Sequence, residues 1–404
     1  MLHAVFALAA VLSGGPARAD DGVRLIGVVQ VAPETLDTSG LSQPLGRVTQ
    51  DRFGGWGSAI EWTGVGDNYI VQPDRGPSDG AEEYKCRYVE VTITVRDETT
   101  KRATLELGKT VLYTTGKYSL VGLTNVYDAK DPTESLRFDP EGVRLGADGT
   151  VYVSDEYGPV IYGFSREGKR TSVVPVPKKF QIARPDAKGV EEDKLNDSGR
   201  VANRGFEGLA ITPDRKTLWA MAQSPLIQDG GRDGEFIRML RIDIATGKTA
   251  EFVYPLESTH NGCNEVLAVD DHTFAVIERD GDGGNKAAFK KIMLVDVTDA
   301  TDVSGTERLK KHQLPEGVVP VRKRVLIDLL EERWGLAGSL FPEKEEGLAF
   351  GPNRPDGSRT LVITTDNDFR DDQPGCVWVF AVPSEALRFE KAAATAGGGG
   401  GAGR

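Results

Sequence analysis

A short phrase returns five times along this chain of 404 residues. It consists of an acidic residue or a substitute, a short apolar strand, a turn, a second apolar strand and a polar cluster. Its clearest copy is Glu141-Gly142-Val143-Arg144-Leu145 followed by Val151-Tyr152-Val153-Ser154-Asp155-Glu156. Others begin at Glu207-Gly208-Leu209, Glu265-Val266-Leu267 and Glu346-Gly347-Leu348. They end at Gln223, at Glu278-Arg279-Asp280 and at Asp366-Asn367-Asp368. A degenerate first copy joins Gly57-Ser58-Ala59-Ile60 to Asp74-Arg75. One hairpin cannot bury both of its apolar faces, so a recurring hairpin implies copies stacked in a line or around an axis.

Most units continue into two further strands, such as residues 160–164 and 171–175, or 237–242 and 250–254. Asp148-Gly149, Glu167-Gly168 and Asp356-Gly357 supply the turn chemistry that hairpins require. Four strands per unit predict an all-β β-propeller, each unit being one blade. The last unit has only residues 376–382 after its hairpin, while the chain carries a spare strand at residues 23–31. Pairing the two closes the ring and removes two exposed sheet edges. Five blades are counted, and the wide spacings Ser58 to Glu141 and Glu265 to Glu346 leave room for a sixth. A β-sandwich is the alternative, but it leaves the repeated acid positions without a reason. A short helix is expected within residues 328–340.

The formal charge of −12 and pI of about 5.1 exclude nucleic acid as a partner, since no basic stripe is present. Residues 1–19 read as a secretory signal. An apolar run from Ala4 to Leu12, too short to span a bilayer, precedes Ala17-Arg18-Ala19. The expected location is secreted or periplasmic, with no membrane insertion after removal of the signal. Residues 20–390 form one domain on this reading. Residues 391–404, with five consecutive glycines, cannot bury surface and are expected to be disordered. Three cysteines, Cys86, Cys263 and Cys376, permit at most one internal bridge and form no metal motif. No protein partner is legible.

Strand direction places the chemistry. In an antiparallel hairpin the start of one strand and the end of the next share a face. Glu141, Glu207, Glu265 and Glu346 therefore ring one channel mouth, with Asp155, Glu278 and Asp366 on the same face. Glu156, Gln223, Asp368 and Asp74 lie just outside. Carboxylates converging on one funnel repel unless protonated or metallated. A hard oxygen set suits Ca2+, so these seven acids are the candidate metal ligands. The other role open to a repeated Glu is to accept backbone N–H bonds from a neighbouring blade and lock the ring. Asp280-Gly281-Asp282-Gly283-Gly284-Asn285 resembles part of a calcium loop. Arg75, Arg204 and Arg279 stand among the acids and suit bidentate capture of phosphate or carboxylate. They and Glu207 are the candidate catalytic residues. No G-x-S-x-G, P-loop, H-E-x-x-H or dinucleotide-binding glycine pattern occurs, and a serine triad would have to draw on His260.

Several longer phrases carry a resemblance. They include Asp139-Pro140-Glu141-Gly142-Val143, Ser154-Asp155-Glu156-Tyr157-Gly158-Pro159 and Asn203-Arg204-Gly205-Phe206-Glu207-Gly208. Glu345-Glu346-Gly347-Leu348 and Thr365-Asp366-Asn367-Asp368-Phe369 belong with them. From about Gly54 to Val382 the chain resembles the family described as esterase-like activity of phytase. The resemblance implies a secreted or periplasmic propeller and ester hydrolysis. The expected function is hydrolysis of a small-molecule ester, a phosphate ester before others, with calcium in the acidic funnel. The rivals are a lactonase-like calcium propeller and a non-catalytic propeller that binds a ligand or protein.

Overall fold

The computed structural model describes residues 21–131 and 134–389, so the expected signal and the whole glycine-rich tail lie outside the described residues. Strand β1 (Arg24–Val31) comes first, followed by the two-residue strands β2 (Pro44–Leu45) and β3 (Val48–Thr49). The first group of four is β4 (Ala59–Trp62), β5 (Asn68–Gln72), β6 (Arg87–Asp97) and β7 (Arg102–Leu112). The second is β8 (Pro140–Leu145), β9 (Val151–Asp155), β10 (Val160–Phe164) and β11 (Arg170–Val174). The third is β12 (Phe206–Ile211), β13 (Thr217–Ala222), β14 (Phe236–Asp243) and β15 (Thr249–Pro255). The fourth is β16 (Gly262–Ala268), β17 (Thr273–Arg279), β18 (Lys290–Asp296) and β19 (Arg322–Asp328). The chain ends in β20 (Lys344–Asn353), β21 (Arg359–Asp366) and β22 (Gly375–Val382).

Strand β1 completes this last group. It runs antiparallel to β22, with Arg24 opposite Ala381 and Val31 opposite Gly375. A single parallel bridge between Val28 and Arg102 links it onward to β7. The innermost strands β4, β8, β12, β16 and β20 each neighbour the next, and β20 neighbours β4. The fold is a closed propeller.

Apolar alternation explains the closure. Successive residues of a strand face opposite sides of the sheet. In β9, Val151 and Val153 pack with Ile70 and Tyr88 of the first group, while Tyr152 packs with Leu209 and Leu240 of the third. The same sorting fills every seam. Trp219 and Met221 meet Val276 and Met293. Leu294 and Ile277 meet Ile363 and Trp378, and Val362 and Val379 meet Val71 and Val89. Middle strands such as β9, β10, β17 and β22 are buried along their whole length, which is why their bodies read as apolar runs without alternation. Outer strands β7 and β11 are half-buried to exposed over nearly all their length.

The glycine of the repeated phrase serves the inner ring. A Cβ at Gly142 would stand 2.5 Å from the backbone N of Leu209, and one at Gly208 2.7 Å from that of Val266. Inner strands approach too closely for a side chain there.

The wide spacings hold no further unit among the described residues. The first is spent on the 11-residue strands β6 and β7 and the loop after them, the second on the loop between β18 and β19. The helix expected within residues 328–340 shrinks to one 3-10 turn, Glu332–Trp334, closed by Gly335 at φ 69°. The one α-helix described, α1 (Gly189–Leu195), lies in the loop between β11 and β12. Cys86, Cys263 and Cys376 are all buried, unpaired thiols.

Candidate functional site

Each inner strand after the first begins with a slip in register. The shifts fall between Pro140 and Val143, Phe206 and Gly208, Cys263 and Glu265, and Glu345 and Gly347. Such a bulge re-aims the extra residue. The bulged residues are Glu141, Glu207, Asn264 and Glu346, and all four line one cavity of about 210 Å³ at the mouth of the channel. A second set comes from the ends of the neighbouring strands: Asp74, Glu156, Gln223 and Arg279 line the same cavity.

One sequence expectation is corrected by that register. Glu265 is not the counterpart of Glu207; Asn264 is. Counting back two residues from Val143, Leu209, Val266 and Leu348 gives the true set, and matching Glu to Glu slips it by one. Glu265 instead occupies the Gly142 and Gly208 position, inside the channel. Its carboxylate pairs with Arg144 Nη2 at 2.9 Å and accepts the backbone N–H of Leu209 and of Val266 at 2.9 Å each. It is the ring lock that was the alternative role for a repeated Glu. Burial pushes its carboxyl up to about 7, against the pull of Arg144. Arg144 completes the plug, donating to the carbonyls of Ile60, Val143, Val266 and Leu348 on four different inner strands.

Glu278 and Asp155 also turn away from the cavity, because side chains alternate at a strand end and Arg279 and Glu156 take the inward direction. Glu278 is enclosed by Tyr254 Oη (2.6 Å), the Glu257 N–H (2.7 Å), Asn261 Nδ2 (2.8 Å) and Lys323 Nζ (2.9 Å). Asp155 accepts the N–H groups of Asp139 (3.0 Å), Tyr157 (3.3 Å) and Gly158 (2.8 Å), clamping the start of β8 to the end of β9. Burial pushes it up to about 7. In the glycine-rich segment, Asp280 Oδ2 is taken by the N–H groups of Ala288 and Phe289, and Oδ1 lies 3.4 Å from Lys290.

Asp366 stands beside Asp74 and Asp368, one oxygen from each lying within 4.8 Å of the others. Lys344 is 3.5 Å from Asp366 and also pairs with Asp368. Burial pushes Asp366 up to about 7, opposed by Lys344.

The acids brought together at the mouth are Glu141, Glu156 and Glu207, whose oxygens also lie within 4.8 Å of one another. Burial raises all three, then their mutual repulsion raises Glu141 and Glu207 further. Glu156 reaches about 8, with Asp139 raising it and Arg75 opposing. Glu207 Oε1 accepts from Gln223 Nε2 and from Asn264 Nδ2 at 3.1 Å. Glu207 Oε2 and Asn264 Oδ1 are buried and make no hydrogen bond among the described residues. Two orphaned oxygens beside two further carboxylates fit a hard cation.

The three arginines differ in commitment. Arg75 pairs with Asp139 at 2.6 Å and Asp79 at 3.1 Å and donates to Asn203. Asn203 holds φ at 55°, an uncommon value for a residue with a side chain. Arg279 pairs with Glu346 at 2.9 Å. The Arg204 side chain makes no hydrogen bond or ion pair among the described residues, and burial, followed by the Arg232 charge, lowers its pKa. His260 is exposed at the rim.

A closed propeller with a carboxylate-lined, arginine-flanked mouth is the class of molecule that fold and site define. The family model for esterase-like activity of phytase matches residues 51–369, and the chain belongs to that family. An uncharacterized secreted protein of Arthroderma benhamiae is 30% identical over 230 residues, which cover 48% of this chain and 44% of that protein. The chain therefore spans less than half of that relative's length. Among solved structures, a gluconolactonase from Xanthomonas campestris is 11% identical with a TM-score of 0.38, over 89% of this chain and 97% of that one. The calcium-binding protein regucalcin from Agrobacterium tumefaciens is 12% identical with the same TM-score, over 91% of this chain and 97% of that one. At those scores the likeness says nothing of this chain's chemistry.

Proposed function

We propose that the chain is a secreted hydrolase of a small anionic ester, a phosphate ester before others, with calcium held by Glu141, Glu156 and Glu207. The observation that carries this reading is the pairing of orphaned buried oxygens with a free cation in one cavity. Glu207 Oε2 and Asn264 Oδ1 lack partners, and across the same cavity Arg204 lacks a counter-ion. A bound dication would offset the repulsion of the three acids and polarise the ester oxygen. Gln223 and Asn264 hold Glu207 in one rotamer by donating to the same oxygen. Arg204 is the group left to receive a negative substrate, which favours a charged ester over a neutral lactone. Arg75 and Arg279 shape the wall through their own ion pairs. The secreted relative supports export of this chain also.

The test is a turnover screen of phosphate monoesters, carboxylic esters and lactones in buffered calcium, with Arg204→Met beside the native chain. Loss of the arginine is expected to raise KM for the charged ester by roughly 10- to 100-fold, the worth of one charge-assisted hydrogen bond. Hydrolysis of neutral lactones alone, unaltered by Arg204→Met, would replace this reading with the lactonase one.

A further inference from the structure

The opposite mouth of the channel holds a second cavity, of about 620 Å³. It is formed where the inner strands end. Trp62 closes β4, Ile211 closes β12, and Leu267 and Phe350 lie at the far ends of β16 and β20. Arg144 and Glu265 plug the channel between the two mouths, so the cavities are separate spaces. The volume falls in the range of roughly 300–1,000 Å³ that suits a small organic ligand.

The wall has an apolar body and unequal charge. Its charged side chains are Glu61, Arg144, Arg215 and Arg359. Glu61 lies 3.1 Å from Arg215 Nη1, and Arg144 is held by Glu265. Arg359 has no carboxylate within ion-pair distance among the described residues. It donates to the Val269 carbonyl at 3.2 Å, and its guanidinium carbon sits 3.4 Å from the centroid of the Phe350 ring. Burial lowers its pKa to about 10, against the more distant charge of Asp270. Arg144 adds an unmet donor, since its Nε is buried with no hydrogen-bond partner among the described residues. In a chain of net charge −12, this is a locally cationic pocket. A desolvated cation gains most from an anion.

We propose that the second mouth is a binding site for a small amphipathic carboxylate. Its carboxylate faces Arg359, and its apolar body lies against Trp62, Phe350 and Leu267. The site is independent of the acidic mouth and of any chemistry there.

Titration calorimetry with three isosteric probes tests it: 4-phenylbutyrate, its neutral amide and 4-phenylbutylamine. The native chain is expected to bind the acid about tenfold tighter than the amide, the worth of one charge-assisted contact, and the amine least. Arg359→Gln should bring acid and amide to near equality, while Arg359→Lys keeps part of the preference. Ser384→Glu, at the half-buried rim, places a competing carboxylate in the mouth and should weaken the acid without unsettling the fold. Glu207→Gln at the other mouth should change none of these affinities. Equal binding of acid and amide, a preference that survives Arg359→Gln, or no saturable binding of any probe would overturn the proposal.

Discussion

Two glutamates that look alike in the sequence face opposite energetic problems. Glu265 is fully enclosed with a cation in contact, whereas Glu207 is enclosed with two other acids. Removing one partner of a buried pair strands the other's charge, which costs about 3–5 kcal/mol, while removing both costs far less. Glu265→Ala should therefore destabilise the fold by roughly that amount, and adding Arg144→Met should recover part of the loss. A urea-denaturation cycle that finds the two substitutions simply additive would remove Glu265 from the role of lock. Glu207→Gln should leave stability unchanged or raised without metal, because it removes a charge that its neighbours oppose.

Protonation at the mouth has a sign that can be worked out. Glu156 sits near 8 in the folded state, raised first by burial, against an ordinary 4.5 in the unfolded chain. Asp366 is raised in the same way, to about 7. Between these limits the folded state holds protons that the unfolded chain has released. The stability these two groups contribute is complete below their ordinary values, 3.8 for Asp366 and 4.5 for Glu156, and is lost as pH rises through about 7 and 8. Melts in a chelator from pH 5 to pH 8 should show this decline. A flat or rising profile would mean that these carboxyls are not raised.

At the scale of elements, β1 is the strand on which the ring depends. Without it β22 exposes a buried, unbroken apolar edge, the kind that pairs with other chains. A variant beginning after Val31 should aggregate or elute as oligomers in size-exclusion chromatography. A monomeric variant with native circular dichroism would show that closure is dispensable. This pairing was legible because a spare strand and a missing one stood at the two ends of the sequence. The turns at Gly149, Gly168 and Gly357 were legible too, and all three hold φ between 81° and 86°. The site was legible only in part. Glu141, Glu207 and Glu346 follow from the repeat, but bulges add a residue that sequence spacing does not display. Hence Asn264 was hidden behind Glu265, while Glu156, read as lying just outside the ring, takes the inward place expected of Asp155 because side chains alternate at the strand end. Arg144 could not be foreseen at all, since its partners come from four inner strands scattered over some 290 residues of chain.

At the scale of the molecule, stability comes from the apolar seams between neighbouring sheets, and the channel between them is free to carry function at its ends. Leu209 is wholly buried in the seam between the second and third blades. Leu209→Ala should cost about 2–5 kcal/mol without altering affinities at either mouth. The charges are distributed differently, with acids outnumbering bases at one mouth and three arginines facing a single glutamate at the other. That asymmetry makes the acidic mouth's demand for a cation the central claim, and calcium titration followed by thermal melting tests it most directly. Chelated native chain should gain melting temperature with calcium, by an amount that grows with concentration, since only the folded state offers the site. Glu207→Gln should lose that gain and Leu209→Ala should keep it from a lower starting point. Melts of the native chain that superimpose with and without calcium would contradict the account.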